Sequence, residues 1–224
     1  MAWQMPDPAT EPFVDETREP QVRGFLVRPA SPTGDGLVLT HGAGANCQSP
    51  LLIVVARALA ESGITVLRCD LSFRQRHPHG PPGVGSAARD REGLRQALAA
   101  LRKIVPGRVF LGGHSYGGRQ ASMLAAEDAS VAAALLLLSY PLHPPRRPAQ
   151  LRTAHLPQLR VPSLFVQGTR DEFASAEEII SALALIPART RLLMIEGAGH
   201  NLAVRGELPV VTATVSTAFR EFIG

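Results

Sequence analysis

The stretch VFLGGHSYG, residues 109–117, decides the fold of this 224-residue chain. A short apolar run, typical of a buried strand, leads directly into Gly-x-Ser-x-Gly, and a helical pattern follows. So sharp a strand-to-helix turn holds its serine at unfavourable backbone angles, and only glycine fits at the flanking positions. This turn lifts the Ser115 hydroxyl clear of the sheet, within reach of a base and of a substrate carbonyl. The sequence therefore predicts a nucleophilic serine at position 115.

Short apolar runs alternate with helical patterns along the rest of the chain. The runs are continuously apolar, which is typical of parallel strands that are covered on both faces. The sequence therefore predicts an α/β fold with a mostly parallel sheet between two layers of helices. Strands are predicted at 21–28, 37–40, 64–68, 109–112, 132–138, 163–167 and 191–195, and helices at 50–62, 87–104, 117–128, 175–186 and 208–222.

Length and composition favour one globular domain. With 45% hydrophobic residues the chain can bury a sizeable core, and little length is left for a second one. Residues 1–20 are predicted to form a polar N-terminal arm and residues 21–224 a single domain. About two dozen residues separate the strand that ends near Leu138 from the strand that starts at Ser163, too few for a helical cap. We expect an open active site without a sizeable cap domain.

The N-terminal residues differ from a signal peptide, because acidic side chains and prolines stand where a basic and then an apolar segment would be. The longest apolar run, residues 131–138, is too short to cross a bilayer. Two cysteines, Cys47 and Cys69, fit a reducing compartment. The sequence thus predicts a cytoplasmic protein that does not associate with membranes.

A serine hydroxyl needs a base to remove its proton, and the base needs a third group to hold its tautomer. Two segments supply these groups in the chain order Ser, acid, His. Gly168-Thr169-Arg170-Asp171 follows one predicted strand, and Gly197-Ala198-Gly199-His200 follows the next. Both lie at carboxyl ends of parallel strands, where open sheets place their sites. We expect Asp171 to orient His200, and His200 to deprotonate Ser115.

Other acids and histidines fit these roles less well. Glu172 adjoins Asp171, but alternation along the chain points it away. Asp70 also ends a strand, yet it precedes the serine and breaks the order. The remaining histidines belong to other motifs or lie in proline-rich loops; they are His41, His77, His79, His114, His143 and His155.

An oxyanion hole needs two backbone N–H groups aimed at the developing alkoxide. One is expected from Tyr116, which follows the nucleophile, and the other from Ala43, with Gly44 as the alternative. His41 is expected to clamp the loop that carries Ala43. Candidate substrate-binding residues are Asn46, Phe73, Tyr140 and Phe173, of which the aromatic ones would fit the core equally well.

With these motifs in register, the chain resembles the α/β-hydrolase superfamily over residues 21–224. More narrowly, it resembles the small lidless group of dienelactone-hydrolase-like proteins. The residues that carry the resemblance are His41–Gly44, Gly112–Gly118 and Gly168–Asp171. It implies an eight-stranded, mostly parallel sheet and acyl transfer to water without a cofactor. Dienelactone hydrolases proper use a cysteine nucleophile, whereas this chain has Ser115 at that position.

Two further motifs resemble cofactor or metal sites in their residue pattern but lack the features that such sites need. The segment GVGSAA, residues 83–88, matches a dinucleotide-binding pattern but follows a proline-rich loop rather than a strand. His77 and His79 lack a third metal ligand at suitable spacing. We therefore expect neither a cofactor nor a metal.

Basic residues outnumber acidic ones, which gives a net charge of +4, and Lys103 is the only lysine. Nucleic-acid binding is not predicted, because only 5% of the residues are aromatic and few can interleave with basic ones. Some arginines are predicted near the upper edge of the sheet, as a solvated rim or as a means of attracting anionic esters. They are Arg74, Arg76, Arg146, Arg147, Arg152 and Arg160.

The sequence therefore predicts a serine hydrolase that cleaves ester or thioester bonds of small substrates through an acyl-enzyme on Ser115. Two alternatives stay open. One is an amidase or peptidase with the same triad, and the other is a non-catalytic interaction protein that keeps the hydrolase fold. The intact triad argues against the second, because a scaffold has no physical need for a strained serine.

Overall fold

The computed structural model describes residues 9–203 and 208–224. A single sheet of eight strands runs through these residues. Numbered in chain order, the strands are β1 (Ala9–Asp15), β2 (Val22–Arg28), β3 (Gly36–Thr40), β4 (Thr65–Cys69), β5 (Val109–His114), β6 (Leu135–Leu138), β7 (Ser163–Gly168) and β8 (Thr190–Ile195).

The order across the sheet is β1-β2-β4-β3-β5-β6-β7-β8. Strands β3 to β8 pair in parallel, whereas β1 and β2 run antiparallel to their neighbours. The prediction of a mostly parallel, eight-stranded sheet is therefore confirmed. The parallel strands end at one edge of the sheet, and this edge carries the loops that follow β3, β5, β7 and β8.

Helices cover both faces of the sheet. They are α1 (Pro50–Glu61), α2 (Ser72–Arg76), α3 (Ser86–Leu101), α4 (Tyr116–Glu127), α5 (Ala176–Leu183) and α6 (Leu208–Ile223). Buried residues of α1 and α6 pack on one face, and those of α3, α4 and α5 on the other. Strand β3 shows why the runs are continuously apolar, since Val38 faces one core and Leu37 and Leu39 face the other.

The N-terminal residues differ from the prediction of a polar arm over residues 1–20. Residues 9–15 form β1, which pairs with β2 from Ala9 opposite Arg28 to Asp15 opposite Val22. The strand is largely exposed, and Phe13 packs partly against the core. An exposed edge strand needs no continuous apolar run and tolerates proline, so ATEPFVD carries little strand signal. The rest of the arm, residues 1–8, lies outside the described residues.

Two connections frame the site. Residues 72–76, which lie outside the helices predicted from the sequence, form the short helix α2. The connection from β6 to β7 contains only the single 3-10 turn Leu156–Gln158 and no cap domain. Within the described part of the chain, none of the helices combines the length and apolarity that a bilayer span requires.

Candidate active site

Ser115 occupies the turn between β5 and α4 at φ 51° and ψ −119°. A positive φ is strained for a residue with a Cβ, and such strain is characteristic of functional sites. The flanking glycines are required by close approach. A Cβ on Gly117 would lie 2.4 Å from the carbonyl oxygen of His41, and one on Gly113 would lie 2.7 Å from the backbone of Gly117. The sequence pattern and the local geometry therefore agree.

The three residues predicted to form a triad come together at the sheet edge. His200 Nε2 lies 2.8 Å from Ser115 Oγ. On the other side of the ring, Nδ1 lies 3.0 Å and 2.9 Å from the two carboxylate oxygens of Asp171. Because a carboxylate only accepts hydrogen bonds, Nδ1 carries the proton and the Nε2 lone pair accepts the serine hydroxyl. This arrangement can activate a serine as a nucleophile.

Asp171 is held by donors besides the histidine. Its Oδ2 accepts the side-chain amide of Gln167 at 2.7 Å, and its Oδ1 accepts the backbone N–H of Phe173 at 2.9 Å. The residue is 7% exposed, so these bonds replace the water that the carboxylate loses on burial. Glu172, the adjacent acid, is exposed. Asp70 instead accepts the backbone N–H of Cys47 at 2.7 Å, away from the triad.

Two rings fix the position of His200. Phe173 stacks on its imidazole with ring centroids 4.0 Å apart. The second ring is that of His114, whose Nε2 lies 2.8 Å from the backbone carbonyl oxygen of His200. Burial lowers the pKa of His114 to about 4, so near neutral pH its ring is uncharged and its N–H donates to this carbonyl. Sequence reasoning assigned His114 only to the turn motif and missed this contact.

The loop that carries Ala43 is clamped by His41, as predicted. His41 Nδ1 donates to the carbonyl oxygen of Gly42 at 2.8 Å, and its Nε2 accepts the backbone N–H of Leu71 at 3.1 Å. The carbonyl of Gly42 also accepts the backbone N–H of Ala45 at 3.1 Å. In a trans peptide the N–H of Ala43 points opposite to the carbonyl of Gly42, so these bonds fix the direction of that N–H.

Arg74 also stabilises the loop that carries Ala43. Its guanidinium donates to the carbonyl oxygens of Ala43 at 2.8 Å and Ala45 at 2.7 Å, and to those of His77 at 2.9 Å and Gly80 at 2.8 Å. The residue is 6% exposed. The prediction that Arg74 belongs to a solvated or anion-attracting rim is therefore wrong, because its guanidinium is buried and donates to backbone carbonyl oxygens.

The side chain of Tyr116 is also tied down. Its hydroxyl donates to Asp90 Oδ2 at 2.8 Å, and Asp90 Oδ1 accepts the backbone N–H of Phe73 at 2.8 Å. Asp90 is fully buried, and burial raises its pKa. Helix α3 is thereby linked to the residue that follows Ser115, and the direction of the Tyr116 backbone is restrained.

A cavity of about 670 Å³ opens above Ser115 and His200. Four of the predicted site residues line it, namely Ala43, Gly44, Tyr116 and Phe173. Pro81 and Pro82 form part of its wall.

The other predicted substrate-binding residues do not line this cavity. Asn46 is exposed and its side chain accepts the backbone N–H of Gln48 at 2.8 Å. Phe73 is fully buried, and Tyr140 is 1% exposed with its hydroxyl 3.2 Å from His155 Nε2. These two aromatic side chains belong to the core, which is the alternative that the sequence left open.

Of the arginines predicted near the sheet edge, Arg152 lines the cavity. The structure adds Arg119, which sequence reasoning missed. Its position in the first turn of α4, four residues after Ser115, is the signal that would have found it. The other predicted rim residues, Arg76, Arg146, Arg147 and Arg160, are exposed.

Cysteine and metal chemistry have little support at this site. Burial raises the pKa of Cys47 to about 12, and that of Cys69 is raised further, so both thiols stay protonated and unreactive. Over residues 9–203 and 208–224, no cluster of three or more histidine, cysteine or acidic side chains is arranged to hold a metal ion.

A serine on a strained turn after β5, with an acid after β7 and a histidine after β8, defines the class of α/β-hydrolases. A family model described as "Alpha/beta hydrolase domain" matches residues 34–220. The chain belongs to this family.

Solved structures of similar fold agree with this assignment. A dienelactone hydrolase from Anabaena variabilis is 23% identical with a TM-score of 0.73, covering 96% of this chain and 99% of that one. A serine hydrolase homologue from Coxiella burnetii is 20% identical with a TM-score of 0.75, covering 93% and 96%. A serine hydrolase without a lid from Xanthomonas campestris is 17% identical with a TM-score of 0.71, covering 96% and 95%. The fold is therefore that of lidless, dienelactone-hydrolase-like proteins.

We expect the free energy of unfolding to decrease as the pH falls from about 6.5 to about 4. Burial lowers the pKa of His114 and of His155 to about 4, and burial also lowers the pKa of His41. In this range the unfolded chain binds protons that the folded protein does not bind, so stability is complete above about pH 6.5 and is lost toward pH 4. The loss for His114 alone is on the order of 3 kcal/mol.

Urea unfolding between about pH 7 and pH 4.5 measures this dependence. The variant His155→Gln removes one partly buried titrating group, so its stability should change less with pH than that of the wild type. His79→Gln, at an exposed position, is the matched control and should keep the wild-type pH dependence. A wild-type stability that is flat over this range would contradict the expectation.

Proposed function

We propose that the protein hydrolyses carboxylic ester or thioester bonds of small molecules through an acyl-enzyme on Ser115. The observation that carries the proposal is the 2.8 Å contact between His200 Nε2 and Ser115 Oγ, with His200 Nδ1 bound to Asp171. A histidine that acts as the base for a nucleophilic serine requires this alignment. The open cavity above Ser115 gives a small substrate direct access to the hydroxyl.

In the first half of the reaction, Ser115 Oγ attacks the substrate carbonyl carbon while its proton passes to His200 Nε2. Asp171 stabilises the imidazolium that forms. The backbone N–H groups of Ala43 and Tyr116 bind the negative oxygen of the tetrahedral intermediate. As the intermediate collapses, His200 returns the proton to the departing alcohol or thiol, and the acyl group stays on Ser115.

In the second half, water takes the place of the alcohol. His200 removes a proton from the water as its oxygen attacks the acyl carbon, and a second tetrahedral intermediate forms at the same two amides. Its collapse transfers the proton from His200 to Ser115 Oγ and releases the carboxylic acid. The hydrogen bond of His114 to His200 and the stacking of Phe173 on its ring support the proposal, because the base must keep its place through both halves.

Labelling with a fluorophosphonate probe tests the proposal. We expect the wild-type protein to be labelled at Ser115, as located by peptide mass spectrometry, and to release p-nitrophenol from p-nitrophenyl acetate. Ser115→Ala should lose both signals, and His200→Ala should be labelled far more slowly, because the serine loses its base. Ser181→Ala, at an exposed serine on α5, is the matched control and should behave as the wild type.

The decisive contrary outcome is a folded wild-type protein that the probe does not label under conditions that label a known serine hydrolase. That result would favour a non-catalytic interaction protein with the hydrolase fold. Labelling without hydrolysis of esters or thioesters, but with hydrolysis of an anilide, would instead favour the amidase alternative.

A further inference from the structure

Two cationic side chains of the described residues face the cavity above Ser115. Arg119 projects from α4 and Arg152 from the connection between β6 and β7. Arg119 lies in the first turn of α4, and its backbone N–H donates to the carbonyl oxygen of Ser115 at 2.9 Å. Its Nε atom is buried and has no hydrogen-bond partner. The hydrogen bond from Arg152 to the carbonyl of Pro141 is 3.4 Å long, at the weak end for such a bond.

Neither cation has a counter-charge in the described part of the chain. No acidic side chain lines the cavity there, and no carboxylate lies within ion-pair distance of Arg119 or Arg152. The neighbouring arginines differ, since Arg91 pairs with Glu127 at 2.9 Å and Arg95 with Asp128 at 2.7 Å. Among the arginines that the structure describes, Arg119 and Arg152 thus combine a position on the cavity with the lack of an ion-pair partner.

The two charges also repel each other. Burial, and after it the positive charge of Arg119, lower the pKa of Arg152. The same charge of Arg119 adds to burial in lowering the pKa of His155. Holding like charges together without a counterion costs free energy, and a bound anion would remove that cost.

A partly buried cluster keeps the two arginines in place. His155 Nε2 lies 2.8 Å from Ser122 Oγ, which joins the β6–β7 connection to α4. The backbone N–H of Arg152 donates to the carbonyl of Leu142 at 2.8 Å. Both arginine-bearing segments are therefore fixed relative to each other, and a ligand that binds them need not first order a loop.

We propose that Arg119 and Arg152 form a subsite for an oxyanion of the substrate, a carboxylate or a phosphate carried by the ester. This inference rests on the proposed function. A guanidinium binds such groups through two parallel N–H···O bonds. The preferred substrates are then half-esters and related anionic esters, with the anionic group bound beside α4 while the ester carbonyl lies at Ser115.

A matched pair of substrates tests the subsite. The p-nitrophenyl half-ester of adipic acid carries a free carboxylate, and its methyl ester is the neutral counterpart. We expect wild-type kcat/KM to favour the anion by about tenfold or more, and Arg119→Gln or Arg152→Gln to reduce that ratio by about tenfold or more. Arg119→Lys should keep part of it. The p-nitrophenyl ester of phosphonopentanoic acid shows whether phosphate-like groups are preferred to carboxylates.

A change in folding or in serine reactivity affects kcat/KM for both substrates equally, so it leaves the ratio of the two kcat/KM values unchanged. Arg160→Gln removes an exposed arginine from the same connection and is the matched control, with an unchanged ratio. A wild-type protein that favours the neutral ester, or a ratio that neither glutamine variant changes, would overturn the subsite while leaving the hydrolase intact.

Anion binding without turnover separates this inference from the proposed function. In the Ser115→Ala background, calorimetry with adipate and with inorganic phosphate should show binding that Arg119→Gln and Arg152→Gln weaken about tenfold or more. If Ser115 is not labelled and no ester is hydrolysed, the proposed function fails, yet this titration still decides the subsite. Failure of both anions to bind would overturn it.

Discussion

Replacement of Asp171 by asparagine is expected to lower kcat for ester hydrolysis about ten-thousandfold, with KM changed by no more than about threefold. The carboxylate accepts hydrogen bonds from His200 Nδ1, from the Gln167 side chain and from the Phe173 backbone. An asparagine has one oxygen, so its NH₂ group must face at least one of these donors.

The tautomer of His200 explains the size of the effect. When the NH₂ of the asparagine faces His200, Nδ1 must accept and the imidazole proton moves to Nε2. Nε2 then donates to Ser115 Oγ and can no longer remove its proton. Substrate binding is little affected, because Asp171 is not among the residues that line the cavity.

Steady-state kinetics on p-nitrophenyl acetate measure both constants, and circular dichroism confirms that the variant is folded. The matched control is Glu172→Gln, which removes the adjacent, exposed carboxylate and should keep wild-type kinetics. The assignment of Asp171 would be wrong if Asp171→Asn kept most of its kcat, or if Glu172→Gln lost as much.

Replacement of Gly117 by alanine is expected to destabilise the fold by more than about 4 kcal/mol and to leave little soluble protein. The added Cβ would lie 2.4 Å from the carbonyl oxygen of His41 and 2.7 Å from Thr40 Cγ2. Neither contact can relax cheaply. Thr40 belongs to central strand β3, and the His41 side chain is fixed by its bonds to Gly42 and Leu71.

Soluble yield and urea unfolding measure the effect. Gly83→Ala is the matched control, because a Cβ at position 83 has Ser86 Oγ at 3.8 Å as its nearest neighbour. That variant should unfold within about 0.5 kcal/mol of the wild type. A soluble Gly117→Ala protein of wild-type stability would mean that α4 can move away from β3 without cost.

Local patterns predicted the fold well, and they selected three residues that lie together in the structure. The serine, the acid and the histidine each follow a strand within a few residues, so each can be recognised from a short stretch of sequence. The chain order of Ser115, Asp171 and His200 then selects one acid and one base from several. Topology completes the prediction, because the ends of parallel strands meet at one edge of the sheet.

Properties that depend on tertiary packing were predicted less well. Phe73 and Tyr140 follow strands, as pocket residues do, but their rings turn into the core. Strand β1 depends on its pairing with β2 rather than on its own apolar residues. The use of Arg74 as a brace depends on four carbonyl groups of two loops, which a linear sequence does not bring together.

The separation of 85 residues between Ser115 and His200 has a consequence during synthesis. Ribosomes add about 5 to 20 residues per second, so about 4 to 17 seconds pass between translation of the serine codon and that of the histidine codon. Throughout that interval the serine has no base and is an ordinary alcohol. Under the proposed function, the nascent chain therefore cannot attack an ester, and the reactivity of Ser115 begins only when β8 has docked beside β7.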